Sequence, residues 1–361
     1  MQCLWEGNCG DGRYEIRHPK KSTALYIAPE SGHWSHYWDI EPDVDTVQCK
    51  PIITGGSRPW WQRVVGVDHR SSARGMKIGI IDHVFPKTRA LSHVTIIDEE
   101  RRVPSVRAAL MPHARVHGQQ IATMLAGSTP KEWRGIARDA GFYFVDATLF
   151  EDGAIVPERV DDARVRNGIE VLSLDYGVDL INLSCGFGQQ DRADLEDSVE
   201  EAADHGTLCI CAAGNSSGPP EIPAAFHAAI GVAGVGFTEV CPDGTILHAY
   251  GMEASTGKNF PGFGHAFANI NSAKGEGIDV CGPGIGIVIP TSKGVADFHG
   301  TSYASPIVTG VLACRLMKDK EYHALKGRQR YERAKNVLFA MVRDLGLEIS
   351  EMGRGMPYLQ L

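Results

Sequence analysis

From Met76 onward the chain alternates short apolar, β-branched runs with longer stretches of mixed pattern. The runs MKIGIID (76–82), FYFVDA (142–147), VDLINLS (178–184), LCICAA (208–213), AAIGVAGV (228–235) and GIDVCG (277–282) are nearly continuous in apolar character, which predicts strands buried on both faces. Between them HGQQIATMLAG (117–127), PERVDDARVRNGIEVLSLDYG (157–177) and DLEDSVEEAADHG (194–206) carry helical spacing, and two more helices are expected after Ser302 and after Gln329. Strand followed by helix, repeated, predicts an α/β fold with a mainly parallel central sheet and helices on both faces. Such sheets bind ligands beyond the carboxyl ends of their strands. The polar residues that close the apolar runs are therefore the ones to weigh.

The first 56 residues lack this pattern. Trp5, Tyr14, Tyr26, Trp34, Tyr37 and Trp38 stand among loop formers, so residues 1–56 are expected to be a short irregular N-terminal extension, either a propeptide or a packed arm, ahead of one domain over 57–361. A second departure is the Gly-containing segment 237–272, expected to be an inserted surface loop near the cleft.

Composition narrows the function classes. With 43% hydrophobic and 22% charged residues and a net charge of −8, the chain is globular and has no basic excess, which argues against nucleic acid as a partner. No apolar run approaches the roughly 18–20 residues of a membrane span, and the first residues lack a signal-peptide core, so a cytoplasmic location without a membrane partner is expected. The nine cysteines are scattered and none forms a CxxC pair, so they are read as reduced, and no metal or cofactor is expected.

Three strand or helix ends carry a possible nucleophilic constellation. Asp82 closes KIGIID, His117 opens HGQQIATMLAG, and Ser302 in HGTSYASP stands at the start of an apolar helix. Taken singly, each has an ordinary structural explanation: a turn aspartate, a capped histidine, a helix N-cap serine. Together they supply what a serine needs to attack at neutral pH, an imidazole to accept its proton and a carboxylate to fix the imidazole tautomer. Asn215 in CICAAGNSSG follows a buried strand and a glycine, and is either a turn residue or an amide donor to a developing oxyanion.

These residues resemble the subtilisin-like serine proteases, in which the order Asp, His, Ser is the one found in subtilisin. IGIIDHVF resembles the family's aspartate strand, HGQQIATMLAG its histidine helix, INLSCGFG its substrate-binding strand, AAGNSSG its oxyanion loop and HGTSYASPIVTGVLA its nucleophile helix. RPWWQRVVGVD resembles the start of the mature domain and GRGMPYL its last strand, so the likeness covers roughly 57 to 361. It implies a serine endopeptidase with Asp82, His117 and Ser302 as the triad and Asn215 at the oxyanion. An extended peptide substrate is expected to add as a strand along Ser184, Cys185 and Gly186, with Ala212, Ala213 and Gly214 lining the pocket for the residue before the cut.

The sequence departs from the family at several points. His83 and Val84 replace the small hydroxyl residue and glycine usual after the aspartate, Gln120 replaces a second histidine, and the loop AGSTPKEWRG (126–135) has neither Asn nor Asp to hold calcium. Glu221 in GPPEIPAAF occupies the family's pocket-floor position, usually small, and is either a solvated loop residue or a carboxylate that selects Lys or Arg. Two other functions stay open: a transpeptidase or macrocyclase using the same acyl-enzyme, and a peptide-binding pseudoprotease.

Overall fold

The computed structural model describes residues 59–360, except 84, 86–87, 98–115, 129–133, 153, 242–245 and 292–293, together with the backbone of three short strands nearer the N-terminus. The six apolar runs form the strands expected of them, and three further strands join them. In chain order the nine are β1 (Lys77–Asp82), β2 (Thr95–Ile97), β3 (Gly141–Asp146), β4 (Leu180–Leu183), β5 (Leu208–Ala212), β6 (Ala229–Phe237), β7 (Asn259–Phe260), β8 (Gly264–Ala268) and β9 (Val280–Pro283), with β2, β7 and β8 the additions. They make one sheet in the order β7-β8-β6-β5-β4-β1-β3-β2, with β9 also on β6. The pairings from β6 through β2 are parallel, as is β6 with β9, while β8 runs antiparallel to β6 and β7. Every residue of β4, β5 and β6 is buried, as continuous apolar strands covered on two faces must be.

Helices among the described residues include α1 (Trp60–Val64), α2 (His117–Ala126), α3 (Asp162–Glu170), α4 (Ala193–Asp204), α5 (Ile246–Glu253), α6 (Thr301–Leu316) and α7 (Gly327–Ala340), with the short helices Lys320–Ala324 and Ile349–Met352 before and after α7. Helix α6 is apolar almost all round and is buried along nearly its whole length against β4, β5, β6, β9 and α2. Helix α1 is tied to the domain by its indoles: Trp60 Nε1 donates to the Gly286 carbonyl at 2.7 Å and Trp61 Nε1 to that of Val288 at 3.0 Å.

Two expectations are corrected. Segment 157–177 is not one helix, because Ala154–Val160 is a strand paired with Thr148–Glu151 and the helix starts only after Asp161. The Asp161 side chain caps it, accepting from the Arg164 amide at 3.1 Å, so the acidic cap and not Pro157 marks the start. Segment 237–272 is not simply a surface loop. It contains α5, β7 and β8 and extends the sheet, burying Ala266 and Phe267 completely.

The boundary at 56/57 lies outside the described residues. Before it, Tyr14–Pro19 pairs antiparallel with Val44–Cys49, and Glu6–Gly7 pairs antiparallel with strand Gly294–Phe298, so the extension is not irregular throughout. None of the described helices is long and apolar enough to cross a membrane.

Candidate active site

The site lies at the carboxyl ends of the parallel strands, where the polar closing residues converge. Asp82, the last residue of β1, is fully buried. Its Oδ1 is 2.8 Å from Nδ1 of His117, the first residue of α2, and accepts the backbone N–H of His83 at 2.7 Å. Burial alone would raise the Asp82 pKa, but the neighbouring His117 and His83 outweigh it and hold the carboxyl down at about 2. Helix α2 reaches this position because its second residue is Gly118. The Gly118 amide donates to the His83 carbonyl at 2.9 Å, and a Cβ there would sit 2.8 Å from that oxygen and 2.7 Å from Phe144 Cζ.

Ser302 stands in the first turn of α6, between two residues that touch the rest of the site. On one side, Thr301 donates its backbone N–H to Asn215 Oδ1 at 2.9 Å and its hydroxyl to the same oxygen at 3.2 Å. The Asn215 oxygen is thus engaged as a helix cap, which leaves the amide NH2 as the group able to donate toward the crevice. On the other side, the Tyr303 ring stands edge-on to His117 with centroids 5.6 Å apart, and its hydroxyl donates to Gln120 Oε1 at 2.8 Å. The Ser302 hydroxyl makes no hydrogen bond among the described residues. Such contacts commonly tighten only when substrate binds.

Pro306 explains how the turn that bears Ser302 is fastened. Proline has no N–H, so it cannot donate to the carbonyl four residues earlier, that of Ser302. That oxygen instead accepts the Ser184 hydroxyl at 2.8 Å, directly beyond the end of β4. Ser184 Oγ also accepts from Asn182 Nδ2 at 2.9 Å and lies 3.0 Å from Ser305 Oγ, while Thr309 donates to Asn182 Oδ1 at 3.2 Å. This buried network locks α6 to β4.

Ser184, Cys185 and Gly186 follow β4, and Ala212, Ala213 and Gly214 complete and follow β5, so the segment expected to pair with substrate and the segment expected to line the pocket lie side by side. Glu221 lies between them. Its backbone N–H donates to the Ala213 carbonyl at 2.8 Å, and its carboxylate packs on both glycines: a Cβ at Gly214 would be 2.6 Å from Oε1, and one at Gly186 would collide with Oε2. Burial raises the Glu221 pKa, partly offset by the backbone amides of Gly188 and Asn215. Burial, with the charges of Asp82 and Glu221, also pushes the Cys185 thiol up, so it is a neutral wall residue.

Three residues in contact with the expected site were given no place in it by the sequence reasoning, although His83 was noted as a departure from the family. The His83 ring is stacked on that of His117, Tyr303 bears on the same ring, and Thr301 orients Asn215. Their adjacency to Asp82 and Ser302 was the only available signal. The loop 126–135, expected to hold no calcium, lies in part outside the described residues.

The model of the subtilase family matches residues 73–346. The chain belongs to the subtilase family. The major intracellular serine protease of Bacillus subtilis (strain 168) is 27% identical over 256 residues, covering 68% of this chain and 67% of that protein. Among solved structures, a variant of the protease domain of PatA matches with a TM-score of 0.57 and 19% identity, over 81% of this chain and 94% of that one. The prenylagaramide maturation protease PagA matches with a TM-score of 0.56 and 19% identity, over 78% of this chain and 90% of its own. These two show a shared fold. This subtilase is a serine endopeptidase, and it binds peptide or protein substrates.

Proposed function

We propose that the chain hydrolyses peptide bonds through an acyl-enzyme on Ser302. The Ser302 hydroxyl attacks the scissile carbonyl, and its proton passes to His117 Nε2 and then to the leaving amine. Asp82 fixes the His117 tautomer and stabilises the imidazolium, and the Asn215 amide with the Ser302 backbone N–H holds the oxyanion. A water then releases the acyl group. The observation that carries this reading is the 2.8 Å contact between His117 Nδ1 and the buried Asp82 carboxylate, beside the turn that bears Ser302. It argues against a pseudoprotease, since the part of the constellation most altered in sequence retains its pairing. The test is labelling with a fluorophosphonate probe. Wild type should label and Ser302→Ala should not; absent labelling, or labelling that survives in the variant, rejects the reading.

The substrate is expected to add as a strand along Ser184, Cys185 and Gly186. The position of Glu221 between the walls supports a pocket that prefers Lys or Arg before the cut, because a half-buried carboxylate gains most from a charged partner. Transfer of the acyl group to an amine in place of water, which would make the chain a macrocyclase, is separated from hydrolysis by mass analysis of products.

The thiols of Cys185, Cys209, Cys211 and Cys281, which form no disulfide among the described residues, fit a reducing, cytoplasmic setting. The pairing of Glu6–Gly7 with Gly294–Phe298 supports residues 1–56 as a retained extension. Clean removal near Gly56 with a rise in activity, read by N-terminal sequencing, would reject that.

A further inference from the structure

The proposed reaction uses one imidazole beside Asp82, but the structure puts two there. His117 Nδ1 lies 2.8 Å and His83 Nδ1 3.1 Å from the same Asp82 Oδ1. The two rings are stacked, with centroids 5.0 Å apart and planes 7° from parallel. The second carboxylate oxygen, Oδ2, is buried and receives no hydrogen bond from the described residues. One ligand atom from each of the three side chains lies within 4.8 Å of the others.

We propose that Asp82, His83 and His117 form a site for a borderline divalent transition ion of the Zn2+ class, and that its occupation switches the protease off. Two imidazole nitrogens and a carboxylate oxygen are a donor set such ions favour, whereas Ca2+ and Mg2+ require more oxygens. Bonds of about 2.0–2.2 Å place tetrahedral donors about 3.3 Å apart. Each nitrogen needs to move only slightly farther from the carboxylate oxygen than 2.8 and 3.1 Å, while the rings must tilt out of their stack to bring the two nitrogens, now within 4.8 Å, to that spacing. His83 is the residue at which the chain leaves β1, so its ring can turn without moving the strand.

The proton count gives the consequence. A working His117 carries its proton on Nδ1, toward Asp82, and offers the Nε2 lone pair to Ser302. An ion on Nδ1 takes the lone pair there, so the ring proton sits on Nε2. The tautomer is exchanged, the ring stays neutral, and Nε2 can no longer accept the Ser302 proton. His83 exchanges its tautomer in the same way if it enters with the proton on Nδ1. The ion also neutralises the Asp82 charge that would stabilise an imidazolium. This switching rests on the proposed role of His117 as base; ion binding itself does not.

Ser302→Ala protein, which retains all three ligands and should not digest itself, is titrated with zinc chloride by calorimetry, alone and combined with His83→Ser or with His83→Phe. The phenylalanine variant keeps an aromatic ring against His117 and removes the ligand, so it serves if the serine variant fails to fold by circular dichroism. One equivalent per chain is expected, weakened at least tenfold by either His83 change. In the enzyme with Ser302 intact, zinc should abolish fluorophosphonate labelling, EDTA should restore it, and calcium should have no effect. No bound equivalent, or an affinity indifferent to His83, overturns the site. Zinc bound with labelling unaffected overturns the switch. Labelling absent before any zinc is added would instead reject the catalytic reading, and the calorimetry would still decide the site.

Discussion

At the scale of single residues, the site divides between groups that face substrate and groups that hold them. Asn215 does both, since its oxygen caps the first turn of α6 while its NH2 is the proposed oxyanion donor. Asn215→Ala should lower kcat with little change in KM, by roughly the 100- to 1000-fold measured for the corresponding subtilisin asparagine. Asn215→Asp separates the two roles, because it keeps the capping oxygen and loses the donor. It should match the alanine variant in lost kcat while unfolding nearer wild type in a denaturant titration; an equal loss of stability in both would show that the cap needs more than the oxygen. Glu221 gives a pH-dependent prediction. Burial raises its pKa, so the carboxyl is neutral at low pH and ionises above the usual carboxylate range. The ratio of kcat/KM for a Lys over a Met substrate cancels any pH dependence of the chemical steps that both substrates share. That ratio should rise as pH increases through the Glu221 ionisation, and Glu221→Gln should flatten it with a loss of roughly 10- to 100-fold at the high-pH end, the worth of a hydrogen bond to a charged group. A ratio independent of pH in wild type would remove Glu221 from the pocket chemistry.

At the scale of elements, what the sequence revealed follows from how local each signal is. The strands were legible because β4, β5 and β6 are buried on both faces and must be apolar throughout. The residues now at the site were legible because chemistry sits where those runs stop. Pro157 misled the reading of the segment that follows β3, since proline at a helix start and proline in a two-stranded ribbon look alike until Asp161 is recognised as the cap. The extension of the sheet by β7 and β8 was illegible because two short antiparallel strands carry too little periodicity to separate from loop. The link between β4 and α6 was also hidden, because it joins residues 118 positions apart, Ser184 and Ser302. Its importance can be read from the helix itself: Pro306 cannot donate to the Ser302 carbonyl, so Ser184 must. Ser184→Ala should therefore cost about 1–3 kcal/mol of stability by leaving that buried oxygen unmatched. It should also lower kcat more than KM, because the loosened turn carries Ser302, the proposed nucleophile. Denaturant unfolding with steady-state kinetics checks both, and wild-type stability would mean that the carbonyl finds another donor.

At the scale of the whole molecule, the parallel sheet separates a reactive end from an anchoring end. Asp82, Ser184 and Gly214 gather where the strands finish, whereas the opposite end, where β1 and β4 begin, is closed by a different buried carboxylate, Asp179. Asp179 Oδ2 accepts the Lys77 backbone N–H at 2.7 Å, its Oδ1 accepts the Tyr322 hydroxyl at 2.8 Å, and Arg330 of α7 is bound to that same Oδ1. One carboxylate thus ties two strands of the sheet to the C-terminal helices, and Tyr322 is pushed up by burial and by the Asp179 charge, which keeps its hydroxyl a donor. Arg330→Ala would leave Asp179 with its two neutral donors but without its cation. The loss should be about 1.5–3 kcal/mol, the range for a hydrogen bond to a charged group, and smaller than for breaking a fully buried pair because the Arg330 side chain is 25% exposed. Because the full length of β1 and β4 lies between this cluster and the proposed triad, kcat/KM and fluorophosphonate labelling should be unchanged at temperatures where the variant is folded. A lowered midpoint of thermal unfolding with wild-type turnover is the expected result. A fall in turnover at constant folded fraction would mean that the position of β1, and with it Asp82, is set from the far end of the sheet.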